Sequence, residues 1–135
     1  FETKISQEIK NNNAITFIKS EVPPLQEIED DSIDFVITFQ VIEHIKNDTL
    51  FLSEIKRVLK RGGKLILTTP NKLMSLTRSP WHIREYSPNE MKLLISKIFS
   101  NSDVKGVFGN NKVMDYYQKN KESVFYTLKA LMGYL

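Results

Sequence analysis

The sequence has no cysteine, a single tryptophan and only five glycines in 135 residues. Without cysteine there can be no disulfide and no thiolate metal site, and the chain suits a reducing compartment, so a cytoplasmic protein is expected. The glycines are Gly62, Gly63, Gly106, Gly109 and Gly133, and none belongs to a Gly-x-Gly turn after an early apolar run. No apolar stretch approaches the ~20 residues of a membrane-spanning helix, and no secretory signal is visible. The chain starts at Phe1 rather than methionine, which leaves room for preceding residues. Charge of one sign is also scarce: 19 Lys and Arg against 16 Asp and Glu leave a formal +3, too mild to call for nucleic acid. His44 and His82 are the only histidines, and no His/Asp/Glu cluster has ligand spacing along the sequence, so no metal site is expected.

What is present centres on residues 32–70. Ile33 to Phe39 is short, β-branched and aromatic, and apolar at nearly every position after Asp34. That pattern suits a strand buried on both faces of a parallel sheet. A polar elbow, Gln40-Val41-Ile42-Glu43-His44-Ile45, comes next. From about Asp48 to Lys60, Phe51, Leu52, Ile55, Val58 and Leu59 recur at helical spacing, with Asn47 or Asp48 to cap the start and Gly62 to end it. Lys64 to Thr69 is a second strand, stopped by Pro70-Asn71. Strand, crossover helix and strand make a right-handed βαβ unit.

On either side the signals are simpler. Phe1, Ile5 and Ile9 lie four apart, as on a helix over residues 1–10, and Asn11-Asn12-Asn13 stops it. A strand is expected near 15–19, followed by Pro23-Pro24 and an acidic, solvated loop from Gln26 to Ser32. Lys72 to Tyr86 has no clear period, and loops this long are often functional. Ser87-Pro88-Asn89-Glu90 reads as a capping box opening a helix whose buried stripe begins at Met91. A last strand is expected near 104–108, then a helix from about 113. That helix carries the stripe Val124, Phe125, Leu128, Leu131, Met132 and Leu135, expected to pack on the sheet's flank or on another chain.

Asp34-Phe35-Val36, Val41-Ile42-Glu43-His44, Leu59-Lys60-Arg61-Gly62-Gly63 and Thr69-Pro70-Asn71, in this order and spacing, resemble the middle of a class I S-adenosylmethionine-dependent methyltransferase of the small-molecule "type 11" group. The resemblance covers roughly Ile15 to Phe108. It implies an α/β fold of three layers, Rossmann-like, with a mostly parallel sheet. It also implies S-adenosyl-L-methionine as cofactor and a small-molecule or lipid- or sugar-type acceptor. The family's first two strands, with a glycine-rich loop and a ribose-binding acid, have no counterpart here. Their absence would leave a two-strand gap, so the expectation is a partial domain within a longer protein, with rearrangement or a homo-oligomer as the other ways to close the sheet.

The resemblance also assigns residues. Glu21 and Val22 stand where the family holds the adenine, although Ser20-Glu21 replaces its usual Gly-Asp. Phe39 and Gln40 stand beside the methionine part of the cofactor. Trp81, His82, Arg84 and Tyr86 fall in the segment next to the acceptor. His44 could serve as a general base, although in-line methyl transfer needs little beyond positioning. The other reading of Glu43-His44 is structural, with either residue hydrogen-bonded to orient the elbow. Two other classes stay open: a non-catalytic pseudo-methyltransferase used for binding or assembly, and a nicotinamide-type nucleotide-binding protein.

Overall fold

In the computed structural model, residues 14–75 and 79–131 are described, with side chains described as far as Ser123. The order is strand β1 (Ile33–Phe39), a 3-10 turn (Ile42–His44), helix α1 (Asp48–Val58), strand β2 (Leu59–Thr68), helix α2 (Pro88–Ser96) and helix α3 (Asn111–Leu131). The strands pair in parallel, Val36 opposite Leu65, Ile37 opposite Ile66 and Thr38 opposite Leu67. Parallel neighbours need a crossover, and α1 supplies it. The protein is therefore α/β with a parallel sheet, as a Rossmann-like fold requires.

Local chemistry sets the element ends. Asn47 caps α1, its side chain accepting from the Leu50 N–H at 3.0 Å. The helix stops at Val58, two residues before the expected Lys60, because Leu59 already turns extended and pairs with Ile33. The register then jumps between Ile33 and Phe35, and residues 60–63 are spent in that irregularity. Gly62 takes φ +83 there, a conformation costly for a residue with a Cβ. A Cβ on Gly63 would sit 2.9 Å from the Lys60 carbonyl oxygen and 3.1 Å from that of Ile33. Helix α2 begins with the full capping box: Ser87 accepts from the Glu90 N–H at 3.3 Å, and Glu90 accepts from the Ser87 N–H at 2.7 Å.

The core lies on one face of the sheet. Ile42, Ile45, Phe51, Leu52, Ile55 and Leu59 are buried together with Tyr86, Met91 and Leu94, and Val36, Leu65 and Leu67 press on them from the strands. Burying each large side chain contributes ~1.5–3 kcal/mol. The other face is bare among the described residues: Phe35 is 60 %, Ile37 58 % and Phe39 60 % exposed. The apolar run in β1 anticipates cover on both faces, and only one is covered here.

Two expected strands are not formed. Residues 15–19 and 104–108 are irregular, and Ile15, Phe17, Ile18, Val107 and Phe108 are exposed. A strand exists only through a partner's ladder, and the two-stranded sheet of β1 and β2 offers these segments none. The loop 25–31 is held instead by Arg57, which donates to the Leu25 and Ile28 carbonyls and pairs with Asp30 and Glu54. Helix α3 starts at Asn111, two residues before the expected 113, and bends at Asn120 (φ −118, ψ 15). The expected helix at 1–10 and the side chains of the terminal stripe lie outside the described residues.

Candidate functional site at the strand ends

The carboxyl ends of β1 and β2 lead into the elbow. Gln40 leaves β1 at φ +54. Its N–H donates to the Thr68 carbonyl at 3.0 Å and its side-chain amide donates to the Thr68 hydroxyl at 3.3 Å. The 3-10 turn then buries Ile42 and Glu43 completely. The Glu43 carboxylate accepts from the Thr69 hydroxyl at 2.9 Å through Oε2, while Oε1 is buried with no hydrogen-bond partner among the described residues. The Glu43 carbonyl accepts from the Ile83 N–H at 2.8 Å, which ties the elbow to the loop before α2.

Two histidines meet at this junction. His44, exposed, places Nδ1 2.9 Å from the Trp81 carbonyl. His82, half-buried, places Nδ1 2.8 Å from Oε1 of the buried Glu85 carboxylate. The rings stand edge-on with centroids 4.9 Å apart.

A second knot fixes the same loop to the start of α1. Asp48, buried at the first turn, accepts from Arg84 at 2.6 Å and from the Tyr86 hydroxyl at 2.9 Å. Arg84 also donates to the Lys46 carbonyl at 3.1 Å. Burial, and after it the hydrogen bond to Asp48, pushes the Tyr86 phenol well above its ordinary range, so it remains a donor throughout the working pH range. Residue Asn71 bridges to Tyr86 as a short parallel pairing, and Lys72 N–H donates to the Tyr86 carbonyl at 3.0 Å.

Beyond the strand ends lies a cavity of about 640 Å³. Gln40, Leu67, Thr68, Thr69, Pro70, Asn71 and Tyr86 line one side, Met91 and Ile95 of α2 another, and residues 103–109 with Met114 close it. Ligand sites are commonly of this size, largely apolar with a few polar groups. Its place outside the carboxyl ends of parallel strands is where open α/β sheets bind ligands.

The residues expected from the sequence are only partly gathered here. Gln40 and Tyr86 line the cavity, whereas Glu21, Val22, Phe39, His44, Trp81, His82 and Arg84 do not. Glu21 and Val22 lie in an exposed irregular segment, and Trp81 is 79 % exposed. Arg84, expected beside an acceptor, is spent on Asp48 and Lys46, and His82 is held by Glu85. Asp48 was anticipated only as a cap; that it gathers Arg84 and Tyr86 from 36 and 38 residues away has no local signal. Asn71, Met91 and Met114 were likewise not expected at the cavity wall.

A family described as "Methyltransferase domain" matches residues 2–67. Residues 2–67, just under half of the chain, thus carry a likeness to a methyltransferase domain. The chain is 38 % identical over 87 residues to a probable S-adenosylmethionine-dependent methyltransferase of Mycolicibacterium smegmatis, an alignment covering 60 % of this chain and 34 % of that protein. It is 28 % identical over 129 residues to a similarly described protein of Mycobacterium tuberculosis, covering 84 % of this chain and 47 % of that one. A mitochondrial ubiquinone biosynthesis O-methyltransferase of Dictyostelium discoideum is 30 % identical over 73 residues, 53 % of this chain and 22 % of that protein. The chain thus spans about a third to a half of the mycobacterial proteins it matches. No solved structure gives a significant match. No helix among the described residues is long and apolar enough to cross a membrane.

Proposed function

We propose that the chain is the acceptor-side portion of an S-adenosylmethionine-dependent methyltransferase, and that its cavity receives a small-molecule acceptor or the methyl-accepting part of a lipid or sugar. The observation that carries this is a mostly apolar cavity at the carboxyl ends of β1 and β2, in a chain whose residues 2–67 match a methyltransferase domain. The names of the relatives support methyl transfer, and one of them is an O-methyltransferase.

The fit to the cofactor is partial. Gln40 stands at the strand end with its amide at the cavity wall, and it and the Phe39 carbonyl would hold the methionine part. Glu21 and Val22, the expected adenine contacts, do not line that cavity. When bound, S-adenosylmethionine supplies a methyl group on a sulfonium. The chain's own task is orientation: Thr68, Thr69 and Asn71 present polar groups, and Leu67, Met91 and Ile95 exclude water around an acceptor. Tyr86, kept protonated and tied to Asp48, shapes the wall as a fixed donor. His44 does not line the cavity, so no proton transfer is assigned to it.

The test is calorimetric titration of the complete protein with S-adenosylmethionine, followed by the Gln40→Ala variant. Binding that weakens about 5- to 10-fold in the variant, as for loss of one polar contact of ~1 kcal/mol or slightly more, supports the reading. No cofactor binding by the complete protein would overturn it in favour of a binding or assembly module.

A further inference from the structure

We infer that Glu43, His44 and His82 form a binding site for one divalent transition-metal ion, of the two-histidine, one-carboxylate kind. The three side chains can each offer one ligand atom, all within 4.8 Å of one another. Sequence spacing hid this, because His82 arrives from a loop 38 residues beyond His44 and only the fold brings it to the elbow.

Three features distinguish the cluster from chance proximity. The first is Glu43. A carboxylate that is fully buried and keeps Oε1 without a hydrogen-bond partner among the described residues is costly unless a cation or donor compensates it. Its other oxygen is already fixed by Thr69, so the carboxylate is held in one orientation.

The second is the tautomer of each imidazole. The Trp81 carbonyl can only accept, so His44 carries its proton on Nδ1, and the lone pair of the neutral ring is on Nε2. The Glu85 carboxylate imposes the same tautomer on His82. A metal-ligating histidine typically donates its other N–H to a carbonyl or a carboxylate, which fixes the ring and raises its basicity, and here one of each is present.

The third is charge. The only guanidinium at this junction among the described residues, that of Arg84, is turned to Asp48, while Glu43 and Glu85 place two carboxylates around the rings. Two neutral imidazoles and one carboxylate suit zinc, iron(II), manganese or cobalt rather than calcium or magnesium, and such sets leave coordination positions open. The present spacing of up to 4.8 Å would contract on binding.

The experiment uses the complete protein, stripped with a chelator and dialysed against Zn2+ alone, with metal counted by mass spectrometry and Co2+ absorption as a second readout. One ion per chain is expected, with a Co2+ band of a low-symmetry N/O site. His44→Ala and His82→Ala should each weaken binding at least tenfold, and Glu43→Gln should do the same. His44 is exposed and outside the core, so its variant folds even if Glu43→Gln does not. No stoichiometric metal, or affinity unchanged in His44→Ala and His82→Ala, overturns the proposal. Metal content is read without methyl transfer, so failure here leaves the methyltransferase reading standing, and failure of cofactor binding leaves the metal site standing.

Discussion

Replacing Asp48 with alanine tests whether the loop that carries His82 and Tyr86 is held by one carboxylate. The structure gives Asp48 two partners, Arg84 at 2.6 Å and the Tyr86 hydroxyl at 2.9 Å, with Tyr86 only 6 % exposed. Removing the acceptor leaves the buried phenol unpaired, a cost of about 1–3 kcal/mol. Loss of the ion pair adds less than the 3–5 kcal/mol of a fully buried pair, because the Arg84 side chain is 42 % exposed and water re-solvates it. The expected total is about 2–4 kcal/mol, read as a fall in the urea midpoint at constant m-value. Tyr86→Phe should cost about 1 kcal/mol by itself and less than that in the Asp48→Ala background, since the two share a bond. A loss below about 0.5 kcal/mol in Asp48→Ala, or strict additivity of the pair, would refute the idea that this carboxylate holds the loop.

Two further predictions follow from local geometry. Gly63→Ala should destabilise by about 1–3 kcal/mol, because its Cβ would press on the Lys60 and Ile33 carbonyls, whereas Gly62→Ala meets open space and pays only about 1 kcal/mol for its left-handed backbone; equal midpoints for the two variants would count against the register irregularity. Backbone and hydroxyl hydrogen bonds from Ser87, then Lys72, hold the Glu90 carboxyl down at about 2 from its ordinary 4.5. A depressed carboxylate stabilises above its unfolded value, and that stability is lost as pH falls from about 4.5 through about 2. Acid titrations comparing the native protein with Glu90→Gln should therefore converge toward pH 2, and parallel curves would contradict the capping-box origin of the shift.

The βαβ unit was legible because each of its signals is local. The apolar run of β1, the helical spacing of α1 and the second run of β2 are periodicities of 10 residues or so, and the capping box at Ser87–Glu90 is four residues long. The family likewise shows in the short motifs of residues 34–71, since their order survives as linear text. Boundaries shifted where pairing competed with propensity: Leu59 left the helix to pair with Ile33. The segments 15–19 and 104–108 have strand composition and no strand, because a ladder needs a neighbour that composition does not supply.

The sequence by itself therefore determined which residues could be strand, helix and core, and which family its motifs resemble. Which polar groups meet was decided only by the tertiary structure. Asp48 reaches Arg84 and Tyr86 across more than 35 residues, and Glu43, His44 and His82 converge from an elbow and a distant loop. Such contacts arise from two loops folding onto the same strand ends. Their partners are set by direction and distance in space, and spacing along the chain records neither.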